Sequence, residues 1–144
     1  MAENAIRAYM MRLGKDDLPC QGYIGEIENT LRAKQRYVGG TIQVIRLTPE
    51  IDVVLNDDGK LLGYPVNRLW RDTNTNEPLD FLVGNILCCR HNDEGEFTDI
   101  QVEDIEVIER TLKPLTGVAE VEEHIVFITV PAWSLSKWES EEEK

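Results

Sequence analysis

The chain has 144 residues, 42% of them hydrophobic and 29% charged. That is the make-up of one ordinary globular domain, which can bury about two thirds of its unfolded surface without a disulfide or a metal. Fifteen Lys plus Arg against 27 Asp plus Glu give a net charge of −12, so long-range repulsion opposes coating nucleic acid or an anionic membrane.

The chain opens on a predicted strand over residues 6–11. Ile24, Ile27, Leu31 and Val38 follow at helical spacing, with Glu26 and Glu28 at one end, Lys34 and Arg36 at the other, and Gly39-Gly40 as a stop. This pattern predicts a helix over 25–37, and the β-branched run 41–47 predicts the next strand, giving a β-α-β start. Segments 51–55 and 60–62 flank Asn56-Asp57-Asp58-Gly59, where Asp-Gly predicts a tight hairpin with Gly59 at positive φ. The apolar run 81–89 reads as one central strand, turned by Asp93-Glu94-Gly95 into 96–100. Val102, Ile105, Ile108 and Leu112 predict a short amphipathic helix, with Asp99, Glu103, Glu106 and Glu109 facing away and Pro114 and Gly117 ending it. A last strand over 124–130 stops at Pro131, after which Trp133, Leu135 and Trp138 are expected to pack back on the sheet.

The expected fold is α+β, a mainly antiparallel sheet with two short helices. It divides into a single domain over 1–112, a C-terminal strand and packing extension over 113–138, and a mobile acidic tail over 139–144. The acidity is uneven, since residues 1–48 carry +2 and residues 49–144 carry −14. The apolar stretches 81–89 and 125–133 are shorter than the ~20 residues of a helical membrane span. Glu3, Arg7 and Arg12 interrupt the N-terminal stretch where a secretory signal needs an apolar core, so a cytoplasmic protein with no membrane partner is expected. Cys20, Cys88 and Cys89 leave an odd thiol under any pairing, which argues against a disulfide framework.

Several ordered residues carry a resemblance: Val38-Gly39-Gly40, Asn56 to Lys60, Gly63-Tyr64-Pro65-Val66-Asn67-Arg68, Gly84, and Asp93 to Phe97. Over about residues 5–110 the chain resembles a family of small uncharacterised domains encoded largely by bacteriophages and mobile elements of Gram-positive bacteria. That family's pattern is VGG, N-E-x-G-K and G-x-P-x-N-R. Asp57 stands where the pattern has Glu, and residues 113–144 lie outside it. The resemblance implies an accessory protein in a bacterial host cytoplasm and supplies no chemistry.

Two regions are candidate sites. Asn67, Arg68 and Trp70, with Tyr64 and Lys60 nearby, contain the ingredients of a nucleotide pocket: a guanidinium that forks onto phosphate, an amide that reads a base edge, and aromatic faces for stacking. The competing assignment has Asn67 satisfying backbone groups, Arg68 paired with an acidic neighbour and Trp70 filling the core. The acidic residues Asp99, Glu103, Glu106 and Glu109 could face a basic host protein, even as a DNA mimic, or could simply be the solvated side of a helix.

Cys89 and His91 lie two apart on a strand but lack the partners of a nucleophilic triad or of a zinc site, and Gly59-Lys60 lacks the spacing of a P-loop. No catalytic residue, metal or cofactor is assigned. The expected function is a non-catalytic accessory binding protein that sequesters a nucleotide-like ligand or inhibits a host defence protein, with an oligomer possible. The alternatives are a small nucleotide-processing enzyme and a ligand-free assembly domain.

Overall fold

The computed structural model describes residues 4–139, and the tail from Ser140 onward lies outside the described residues. In chain order the elements are β1 (Ala5–Met11), β2 (Tyr23–Glu28), α1 (Leu31–Val38), β3 (Ile42–Arg46), β4 (Ile51–Asn56), β5 (Val66–Arg71) and β6 (Pro78–Val83). They continue as β7 (Ile86–His91), β8 (Phe97–Thr98), α2 (Asp104–Thr111), β9 (Leu112–Val121) and β10 (His124–Thr129). All strand pairings between these elements are antiparallel, so the α+β class with mainly antiparallel sheet is the fold observed. The first sheet runs β2-β1-β7-β4-β3, with β8 added on β7, and the second runs β10-β9-β5-β6.

The first sheet is covered on both faces, which is why its central strands β4 and β7 are apolar without alternation. On one face Ala8, Met10, Val54, Leu87 and Cys89 meet Tyr37 and Val38 of α1. On the other, Tyr9, Met11, Val53, Leu55 and Cys88 meet Leu82 of the second sheet and Ile108 of α2. Ile108 has no exposed surface, and burying a side chain of that size is worth about 2 kcal/mol. α1 is also pinned by polar contacts, since the buried Lys34 ammonium donates to Asn29 Oδ1 at 2.8 Å and the Tyr37 hydroxyl donates to the Ile86 carbonyl at 2.8 Å.

Four sequence expectations are corrected. The helix expected over 25–37 is a strand and a shorter helix: Ile24 and Leu31 face solvent, residues 23–28 pair with β1, and the Thr30 hydroxyl caps α1 by accepting from the Ala33 N–H. The start is therefore β-β-α-β. The hairpin about Asn56 to Gly59 does not form either, because residues 60–62 are turn with Leu61 86% exposed, and β4 pairs with β3 and β7 instead. Positive φ falls at Gly63 and not at Gly59, whose added Cβ would nonetheless come 2.7 Å from Val83 Cγ2.

The run 81–89 is broken into β6 and β7, which belong to different sheets. Gly84 turns between them at φ +74 with the Tyr64 ring packed against its α-carbon. Val66 to Arg71 forms a central strand, and β9, carrying Pro114 and Gly117, joins the second sheet beside it. Trp133 is 82% exposed and does not pack on the sheet, whereas Leu135 and Trp138 are half-buried.

Candidate functional site

β5 places Asn67 and Arg68 at the junction of the two sheets. Asn67 is completely buried, and its amide donates to the Met11 carbonyl at the end of β1 (2.9 Å) and to the Gly84 carbonyl (2.7 Å). Its Oδ1 accepts from Arg68 Nη1 at 2.7 Å, while Arg68 Nη2 donates to the Cys20 carbonyl at 2.8 Å. The amide of Asn67 is thus spent within the fold, tying the second sheet to the first.

Arg68 differs in one respect. It is only 4% exposed, yet among the described residues no carboxylate lies within 4.0 Å of its guanidinium. Burial pulls its pKa down, and the nearby Tyr9 and Glu109 pull it back up. Arg68 lines a cavity of about 230 Å³ with Gln21, Gly22, Glu109, Pro114 and Trp133. The Tyr9 hydroxyl donates to Glu109 Oε2, and burial together with that carboxylate raises the tyrosine pKa. Gly22 is required here because a Cβ would fall about 2.3 Å from the Tyr9 ring. One wall of the cavity is the C-terminal segment 132–135. It is held in place by Gln21 N–H donating to the Ser136 carbonyl at 2.8 Å and by Trp138, 4.8 Å from the Arg12 guanidinium.

The other residues expected at a ligand site are not gathered there. Lys60 pairs with Asp80 of β6 and lies over the Phe81 ring at 4.2 Å. Tyr64 donates to the Gly39 carbonyl at 3.4 Å and fills the space beside Gly84. Trp70 packs against the core beneath the second sheet. Of the five, Arg68 alone lines the cavity. Trp133, Glu109, Gln21 and Gly22 were not singled out as ligand contacts in the sequence, and only Trp133, an aromatic stranded after Pro131, carried a readable signal.

The acidic set is equally divided. Asp99 accepts from the Arg7 backbone N–H at 2.8 Å and from its guanidinium, Glu106 sits 3.9 Å from Arg110, and Glu109 turns to Tyr9, leaving Glu103 exposed. Asp104, between them, is buried in a bidentate pair with Arg90, both contacts at 2.6 Å.

His91 Nδ1 lies 3.0 Å from Asp52 Oδ2, and burial first, then Asp52, push the Cys89 thiol up to about 12. That thiol is therefore held protonated at neutral pH and is not a poised nucleophile. Among the described residues no group of three His, Cys, Asp or Glu is placed to hold a metal ion, and no helix is long and apolar enough to cross a membrane.

No curated protein and no solved structure matches the chain. Residues 17–113, which run from the β1–β2 connection to the root of β9, match the domain family described as a domain of unknown function, DUF3846, and the chain belongs to that family.

Proposed function

We propose that the protein is a non-catalytic binding module that sequesters a small nucleotide-like ligand in the Arg68 cavity, as an accessory protein of a phage or mobile element. The observation that carries this reading is a buried guanidinium without an ion-pair partner on the wall of a cavity. Three neutral oxygens already accept from its N–H groups but none supplies a countercharge, and an anionic group entering the cavity does. Glu109 in the same lining accepts hydrogen bonds, and the exposed indole of Trp133 offers a face for a base. A molecule with an anionic end, N–H donors and an aromatic ring answers all three. The volume of about 230 Å³ falls below the ~300–1,000 Å³ of ordinary ligand pockets, which favours a mononucleotide or its base over a dinucleotide. The phage and mobile-element setting is supported by the sequence resemblance.

Calorimetric titration with mono-, di- and cyclic nucleotides tests this reading, and no heat for any of them overturns it. Trp133→Ala is the appropriate variant because its side chain carries no core packing. It should weaken binding about tenfold, the lower end of what one base–aromatic stack contributes, and leave the unfolding midpoint unchanged.

A further inference from the structure

Beyond its root, the β9–β10 hairpin has no third strand among the described residues. β5 pairs with β9 over Leu112, Lys113 and Pro114, and from Leu115 to Val121 the sole strand partner of β9 among the described residues is β10. A two-stranded ribbon is marginal in water by itself, and this one exposes Val118, Val121, Ile125, Val126 and Ile128, with Ile125 at 66%. β10 is the edge of its sheet, and residues 124–136 contain no Asp, Glu, Lys or Arg. The edge therefore lacks the charged guards that keep open strands apart.

We propose that this arm is an interface with a second copy of the chain, in which β10 pairs antiparallel with β10 about a two-fold axis through Phe127. The strand is self-complementary in that register. Phe127 then faces Phe127 of the second copy and Val126 faces its Ile128, all apolar, while Ile125 faces Thr129.

Charge selects a second copy over other occupants. The arm ends in an acidic tip, Glu120, Glu122 and Glu123. At its root Arg71 and Lys113 line a cavity of about 320 Å³ with Phe127 and Thr129, and among the described residues neither cation is in an ion pair. Burial, and then Arg71 beside it, pull the Lys113 pKa down, a position that an added carboxylate relieves. Antiparallel pairing lays the tip of each arm against the cationic root of the other. The net −12 repels at longer range, and physiological salt screens that repulsion within about 8 Å.

Sedimentation equilibrium of the full chain in physiological salt, over a rising concentration series, gives the decisive measurement. The average mass should climb from 16.5 kDa toward twice that value. Ile125→Lys/Ile128→Lys should stay monomeric with an unchanged far-ultraviolet spectrum, since both side chains face solvent. Glu122→Lys/Glu123→Lys should weaken association about tenfold through charge reversal at the tip. Hydrogen exchange on the unmodified protein serves if the Ile double variant fails to fold, because the outer amides of β10 should gain protection as concentration rises. A monomer at every concentration, or a dimer that survives Ile125→Lys/Ile128→Lys or leaves the β10 amides unprotected, overturns the proposal.

Discussion

The junction between the sheets and the β9–β10 arm invert the usual placement of residue types. At the junction Asn67 and Arg68 are buried and hydrogen-bonded to each other and to backbone carbonyls, and among the described residues no fully buried side-chain nitrogen or oxygen lacks a partner. Along the arm, β-branched apolar residues stand in solvent. The difference lies in topology: β5 has a strand on each side and the first sheet behind it, while β10 has a strand on one side alone. Position in the sheet, more than hydropathy, decides what is covered, and a polar residue in a central strand is tolerated only where backbone acceptors wait for it.

The junction should be the more fragile of the two to mutation. Asn67→Ala strands the Met11 and Gly84 carbonyls and one Arg68 N–H in the interior and should cost about 3 kcal/mol in chemical denaturation. A loss below about 1 kcal/mol would place the sheet-to-sheet link elsewhere and erase the contrast.

Asp104→Asn comes next, at about 2 kcal/mol, because it unpairs Arg90. Hydrogen bonds from Arg90 hold the Asp104 carboxyl below the usual range against the opposing effect of burial, and the Gln101 N–H adds to them. A depressed folded pKa gives stability that is complete above the unfolded value of about 4 and is lost as pH falls through the folded value. The gap in melting temperature between wild type and Asp104→Asn should therefore be full at neutral pH and close in acid. A gap independent of pH would assign the loss to packing.

The smallest effect belongs to the arm and has the opposite sign. Glu122 and Glu123 both sit at positive φ, 49° and 67°, in a two-residue turn that favours Asn-Gly. Glu122→Asn/Glu123→Gly should raise stability by roughly 1 kcal/mol, read from the thermal midpoint.

Elements with one clear period were legible in the sequence. Helix α2 was readable because Ile105 and Ile108 sit on one stripe, and β4 because its β-branched run has no competing signal. The strand β5 was not, since Asn67 and Arg68 sit side by side in the interior and their polarity hides the pattern that marks a strand. In β2, Ile24 and Ile27 mimic helical spacing although Ile24 faces out. The cavity was half legible. Arg68 was visible as a guanidinium beside an amide and aromatic side chains, but Glu109, Gln21 and Trp133 reach it from distant parts of the chain, which only the fold brings together.

The wall of the Arg68 cavity also bears on the order of assembly. Cys20 and Ser136 bridge as parallel strands although more than a hundred residues separate them. Closing so long a loop loses chain entropy before the contact returns anything, so this segment docks late, after the junction has formed. A molecule that contacts both Arg68 and Trp133 would therefore favour chains in which this segment has docked, by mass action on the completed cavity.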